Sequence, residues 1–322
     1  MAVNELDDVQ NNKAIRLLIL YSLMHSYIEY AEFENEVRNK NRFIPTETTL
    51  SFFDKIKEHL DSTIEIMPEG KTLYRARIIG EDYIKKEMEE FWECVIGEKL
   101  ERKDIKQLYS NPSAVETAMM IFLPFLIGDQ ELMIKLKKYI KSFLNRDFQG
   151  YEVSKCLAPP AEKTPEGRLN PKNISYLYTA EKSDTAIYEV KPIIGQKISV
   201  ATLKTTKELK LLDLTRDAIQ LNDKKHTKIT VIQVIAEQFQ KPKYNDELQY
   251  IPTQYIAEYM KELYNFDGIK FKSSLNKGGI NIVLFDPKCC DVIGSKIYNV
   301  DNIEIISHKL DNDLEKIYKS LD

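Results

Sequence analysis

Apolar residues recur at three- and four-residue steps through residues 13–38, where Leu17, Leu18, Tyr21, Met24, Ile28 and Ala31 would share one helix face. A second helix is predicted over 48–65, with Phe52, Ile56, His59 and Leu60 on one side. The Pro45-Thr46-Glu47-Thr48 approach to it offers a hydroxyl cap. Pro68-Glu69-Gly70 breaks this pattern and LYRARII follows with strand character, so a boundary is expected near residue 70. Helical periodicity returns over 81–147. Tyr83, Met88, Trp92 and Val95 stand among charges, residues 113–126 are nearly all apolar, and ELMIKLKKYIKSFL is amphipathic.

After residue 148 the period changes. Residues 150–175 hold Gly150, Pro159, Pro160, Pro165, Gly167 and Pro171, the composition of a long functional loop. SYLYTA reads as a short strand, followed by a helix through DTAIYEV that Ser183 is expected to cap. KISVATLK and LKLLDLT read as strands, 216–238 as a helix, and PTQYIAEYMKELY as an amphipathic helix with Ile256, Met260 and Leu263 on one face. GIKFKSS and INIVLF are strands joined by a turn near 276–279. The tail is expected to add a strand near 302–306 and a polar helix. No internal repeat is visible.

Composition narrows the classes. The chain has 322 residues, 43% hydrophobic and 30% charged, the balance of a globular protein of about two domains. Glycine and proline number only 11 and 12, which disfavours fibrous and linker-like architectures. A formal net charge of −4 gives no global footprint for nucleic acid or an anionic membrane. The best apolar runs, residues 14–24 and 118–127, fall short of the roughly 20 residues a spanning helix needs. The opening MAVNELDDVQ is acidic and polar, unlike a secretory signal. Cys94, Cys156, Cys289 and Cys290 form no C-x-x-C pair and read as reduced thiols in a cytoplasmic protein.

Candidate chemistry is sparse at first sight. His25, His59, His226 and His308 have no neighbours at metal-ligand spacing, so no metal site is expected. Nucleophile-elbow, dinucleotide-fingerprint and phosphate-loop motifs are all missing. In LYRARI, Leu73, Arg75 and Arg77 share one strand face, and two guanidinium groups there need water or anions such as phosphates.

The segment PEGRLNPKNISYLYTA is more distinctive. With Gly167-Arg168-Leu169-Asn170-Pro171, Tyr178-Thr179-Ala180, Ala186-Ile187-Tyr188-Glu189, Gly268-Ile269-Lys270-Phe271-Lys272-Ser273, Gly278-Gly279 and the apolar run 280–285, the chain resembles the RES domain, the toxin half of RES–Xre toxin–antitoxin modules. The resemblance covers 71–80 and 157–287, in the family's order. Arg168, Tyr178, Glu189 and Ser273 match its polar residues, and Arg75 an arginine on its first strand. Phe271 stands where tyrosine is commoner, Ser274 beside Ser273 leaves the serine assignment open by one residue, and residues 81–147 separate elements the family keeps close. The N-terminal helices resemble HEPN-like regions of longer RES proteins. A HEPN-type ribonuclease is disfavoured, because Arg16 and His25 are too far apart on their helix.

The resemblance implies an α+β, ADP-ribosyltransferase-like mixed β core. The organisation expected is a helical domain over 1–70, a RES-like catalytic domain over 71–310 with 81–147 as a helical insertion, and a helical tail over 311–322. It also implies an enzyme that consumes NAD as substrate, without a cofactor, as a toxin or antiphage effector. Cleavage of the nicotinamide–ribose bond passes through an oxocarbenium-like state. Glu189 would stabilise it, Arg168 would hold the pyrophosphate, Tyr178 would offer an aromatic face, and Ser273 would orient Glu189 or a ribose hydroxyl. Arg75, Arg77, Asn170 and Ser274 are the further expected NAD contacts. A glycohydrolase or phosphorylase is the first reading, ADP-ribosyl transfer to a protein or nucleic acid the second, and a non-catalytic binding module the third. An antitoxin-like regulator is the expected partner, no membrane is expected, and self-association stays open.

Overall fold

The structure, a computed structural model, describes residues 13–96, 129–216, 226–242, 248–304 and 307. The apolar stretch 113–126 and the tail helix expected after the last strand lie outside these residues. Eight strands form one mixed sheet: β1 (Ile64–Met67), β2 (Thr72–Ile78), β3 (Leu177–Ala180), β4 (Lys197–Thr205), β5 (Leu209–Asp213), β6 (Gly268–Lys272), β7 (Ile280–Leu284) and β8 (Cys290–Asn299). Their order is β1-β5-β6-β7-β3-β2-β4-β8. Only the β5–β6 pair is parallel. A parallel pair needs a crossover. Two of the nine helices described below, His226–Gln240 and Ile251–Tyr264, lie in that connection. The class is α+β, as expected.

The helices in chain order are α1 (Lys13–Asn39), α2 (Glu47–Lys57), α3 (Leu60–Thr63), α4 (Glu81–Ile96), α5 (Gln130–Leu144), α6 (Val153–Cys156), α7 (Ser183–Glu189), α8 (His226–Gln240) and α9 (Ile251–Tyr264). Thr46 caps α2 through its hydroxyl, as its sequence predicts. Ser183 does not cap α7. It is the first helical residue, and Lys182 holds the cap position without a side-chain bond.

The buried seam of α1 differs from the expected one. Ser22, Ser26, Tyr30, Phe33 and Val37 face inward, while Leu17, Tyr21, Met24 and Ile28 are exposed. The Ser26 hydroxyl donates to the Ser22 carbonyl at 3.0 Å, so this buried polar side chain is satisfied within the helix, which apolar periodicity alone does not register. Phe33 stacks on Phe52 at 4.3 Å between centroids and meets Tyr255 edge-on at 5.9 Å. These residues belong to one cluster with Phe239, Met260, Ile269, Val283 and Phe285. The N-terminal helices thus share a core with one face of the sheet. The boundary expected near residue 70 falls between β1 and β2, two strands of that sheet.

A second cluster, with Met67, Leu73, Leu177, Leu203, Leu211 and Leu284, fills the opposite face. β1 overlaps the end of the predicted second helix at residues 64–65, because four residues at a sheet edge are too few to show a period. The last strand is at Cys290–Asn299 rather than near 302–306. Residues 302–304 are outside any strand, and 305–306 lie outside the described residues. β8 runs the length of β4 with its other side at the sheet edge, and its half-polar composition obscured it. On α9, Ile256 and Met260 are buried as predicted, but Leu263 is 59% exposed.

Helices α4 and α5 confirm helical structure at both ends of 81–147, and Asp129 caps α5 with bonds to the Glu131 and Leu132 amides. β2 nonetheless belongs to the sheet built by later strands, paired with β4 along its whole length. Its pairing with β3 is confined to Tyr74 and Ala180. The two strands therefore diverge, and α7 packs across them through Ala186 against Ala76, Ala180 and Val200.

Candidate active site

A cleft of about 360 Å³ opens where β2 and β3 part. Its lining includes Arg75, Arg168, Asn170, Tyr178, Glu189 and Ser274 from the predicted set. Tyr74, Phe239, Phe271 and Asn281 also line it.

One wall is the loop Gly167-Arg168-Leu169-Asn170-Pro171. The Gly167 amide bonds the Asn170 carbonyl at 2.9 Å, closing a tight turn. A Cβ at Gly167 would collide with the Asn170 and Tyr178 side-chain oxygens. Asn170 is 1% exposed, and its Nδ2 donates to the Pro165 and Pro171 carbonyls, both at 3.0 Å. The Tyr178 hydroxyl donates to Asn170 Oδ1 at 2.7 Å and accepts from the Leu169 amide at 3.0 Å. Burial pushes that phenol well above its ordinary value, so it stays protonated. Gln254 on α9 donates to the Gly167 and Asn170 carbonyls, and Thr253 to that of Arg168. Both Asn170 and Tyr178 therefore shape the loop. The aromatic-face role expected of Tyr178 leaves its hydroxyl unmentioned, yet the hydroxyl is what binds the turn together.

This loop presents Arg168. Its Nη1 donates to the Gln238 carbonyl at 3.2 Å, and its guanidinium lies over the Tyr250 ring at 5.4 Å. Burial pulls the guanidinium below its ordinary value, while Tyr250, Glu189 and Tyr178 act in the opposite sense.

Glu189 is the last residue of α7 and is exposed. Its Oε1 accepts from Ser273 Oγ at 2.6 Å and from Asn281 Nδ2 at 2.7 Å. Ser273 Oγ also accepts the Leu275 and Asn276 amides, at 3.1 and 3.2 Å. A hydroxyl has one proton and two lone pairs, so all are committed and the proton points at Glu189. Of the two adjacent serines, Ser273 bonds the carboxylate, while the exposed Ser274 lines the cleft.

The strand arginines are placed differently from the expectation. Arg75 and Arg77 share the face of Leu73, opposite the face α7 covers through Ala76. Arg75 Nη1 donates to the Cys156 carbonyl at 3.2 Å and Arg77 Nη1 to the Lys155 carbonyl at 2.7 Å. Burial, with Arg77 beside it, pulls Arg75 down to about 10. Arg75 lines the cleft with its guanidinium engaged by the chain, and Arg77 is not among the lining residues.

Sequence reasoning missed Asn281, Gln254, Thr253, Tyr250 and Phe239. Asn281 had a signal, since it is the lone polar residue in the apolar run INIVLF. Gln254 and Thr253 sit within an ordinary amphipathic helix and had none. Among the described residues no group of His, Cys, Asp and Glu is placed to hold a metal, and no helix is long and apolar enough to cross a membrane.

The fold and cleft define a mixed-sheet α+β protein with a carboxylate, Glu189, and an arginine, Arg168, lining one cleft. The RES domain model matches residues 138–302, just over half of the chain. The chain belongs to the RES domain family, and with that family comes the expectation of an NAD-acting enzyme of the toxin class. Among solved structures, one similar chain is from the crystal structure of the M. tuberculosis MbcT–MbcA toxin–antitoxin complex. The identity is 15%, with 44% of this chain and 77% of that one covered, at a TM-score of 0.28. No curated protein matches.

Proposed function

We propose that the protein is an NAD-consuming toxin or defence effector that breaks the nicotinamide–ribose bond, as a glycohydrolase or phosphorylase. The observation that carries this reading is the Glu189 carboxylate, tied by Ser273 and Asn281 and lining the same cleft as Arg168. The cleft volume is near the lower end for small-molecule sites.

NAD joins an anionic pyrophosphate to a cationic nicotinamide ring, and the cleft is lined by two arginines, Arg75 and Arg168, and two glutamates, Glu166 and Glu189. When the C1′–N bond breaks, its electron pair leaves with the ring nitrogen, which becomes neutral. Positive charge then develops on the ribose, and a fixed carboxylate stabilises it without needing to reorganise. Glu189 is that group, with Oε1 held by two donors. Arg168 binds the pyrophosphate, and Tyr178 and Asn170 keep its loop in shape. Phe239 and Phe271, 5.8 Å apart edge-to-face, supply the apolar floor. Water or phosphate attacks C1′ and loses a proton. NAD is the substrate, and no cofactor is part of the proposal.

Toxicity requires control, and the family supplies an antitoxin as the proposed partner, in a cytoplasmic setting. The test is incubation of the purified full chain with NAD, with and without phosphate, and identification of products by mass. Free nicotinamide with ADP-ribose marks hydrolysis, and phosphorylated ADP-ribose formed only with phosphate marks phosphorolysis. Label transferred to a macromolecule would move the assignment to ADP-ribosyl transfer. Intact NAD under all conditions would refute the proposal.

A further inference from the structure

We infer that Asn281 is a positioning residue for Glu189: it fixes the carboxylate for catalysis at a cost in fold stability. The inference rests on the reading of the cleft as an NAD-cleaving site.

Asn281 lies on β7 in the middle of the sheet, paired with Ala180 on β3 and Phe271 on β6. It is 7% exposed among Ile280, Ile282, Val283 and Leu284. Its Nδ2 donates to Glu189 Oε1 at 2.7 Å. An ionised carboxylate only accepts, so the amide must turn its nitrogen that way. The amide oxygen is thereby held on the other side, where it is buried with no hydrogen-bond partner.

A buried acceptor left unpaired is a standing loss of stability. At a central strand position in this apolar setting, a β-branched or aliphatic residue would pack without that loss. The only group on Asn281 that gains a partner is the N–H aimed at Glu189. Glu189 itself stands at an exposed helix end, where its side chain would otherwise sample several rotamers. Ser273 and Asn281 meet the same oxygen from β6–β7 and β7, so together they fix the carboxylate's rotation. Oε2 takes no hydrogen bond among the described residues, and it is the atom left for the substrate.

The test uses the full chain with NAD and compares Asn281→Leu and Asn281→Asp with wild type. Asn281→Leu removes the N–H and the unpaired oxygen together. Its melting temperature should equal or exceed that of wild type, because Glu189 keeps Ser273 and solvent. Its kcat should fall about 10- to 100-fold, the worth of a hydrogen bond to a charged group, with KM changed less than about twofold. Asn281→Asp is isosteric and loses the amide donor; two carboxyl groups then share the site, one is held protonated, and the pH profile of kcat should move upward, a readout a folding defect alone would not give. In a Glu189→Gln background, Asn281→Leu should add less than about twofold, because both act through one carboxylate.

A kcat within about twofold of wild type in either folded variant would overturn the inference, as would undiminished losses in the Glu189→Gln background. So would a loss of activity that simply follows a fall in melting temperature. If wild type itself leaves NAD intact, the preceding functional reading fails and this inference falls with it. Active wild type with unimpaired variants overturns the inference alone.

Discussion

Replacing Glu189 by Gln removes one negative charge and little else. The side chain keeps its length and an oxygen that can still accept from Ser273 and Asn281. Two bonds to a charged acceptor become two to a neutral one, each weaker by about 1 kcal/mol. Solvent screening at this exposed helix end reduces that further, so the stability loss should stay near 1 kcal/mol. For a chain of this size that corresponds to a fall of roughly 1–2 °C in melting temperature. The effect on catalysis is much larger. A fixed charge opposite a developing one is worth about 10²–10³ in rate, or roughly 3–4 kcal/mol. KM should rise less than kcat falls, since the positive charge sits on the nicotinamide ring in the ground state and moves onto the ribose beside Glu189 only in the transition state. The assay is nicotinamide release against NAD concentration, beside thermal unfolding. Near-normal turnover at an unchanged melting temperature would refute Glu189 as the catalytic carboxylate.

Arg168→Ala should raise KM for NAD more than it lowers kcat, because the pyrophosphate is charged in ground and transition states alike; steady-state kinetics separates the two. Tyr178→Phe should leave the Leu169 amide and Asn170 Oδ1 without their shared hydroxyl, lowering stability by about 1–3 kcal/mol and weakening NAD binding through the loop; denaturation and KM report both. Asp213 gives a pH test. Burial alone would raise its pKa, but hydrogen bonds from the Thr215 hydroxyl and amide, with Lys270 and Arg216, hold it below the ordinary value. A folded pKa below the unfolded one means stability that is fully present above about pH 4 and is lost as pH falls through the folded value. The melting temperature of Asp213→Asn should therefore lie below wild type at pH 7, and the gap should narrow under acid conditions. A constant gap from pH 7 to pH 2.5 would contradict it.

Much of the site was legible because its residues sit in contiguous local patterns. Gly167–Pro171, Tyr178, Glu189 and Ser273 each belong to a short element whose type the sequence shows, and their order carries the resemblance. What escaped is what tertiary contact decides. Alternation correctly placed Arg75 and Arg77 on one face, but only the path of residues 150–160 turns the Lys155 and Cys156 carbonyls toward them. The loop's ties to Thr253 and Gln254 join segments more than 80 residues apart. The inward seam of α1 includes the buried Ser22 and Ser26, so the apolar stripe pointed the wrong way. β1 and β8 are edge strands, one too short and one too polar to stand out.

The central claim is that this cleft holds NAD with its scissile bond at Glu189 and its pyrophosphate at Arg168. A crystal structure of the Glu189→Gln variant with NAD tests it most directly, since the slowed variant preserves the substrate. The account predicts the nicotinamide ribose beside residue 189 and the pyrophosphate within hydrogen-bond reach of the Arg168 guanidinium. NAD bound outside the cleft, or inside it with the ribose turned away from residue 189, would contradict the account.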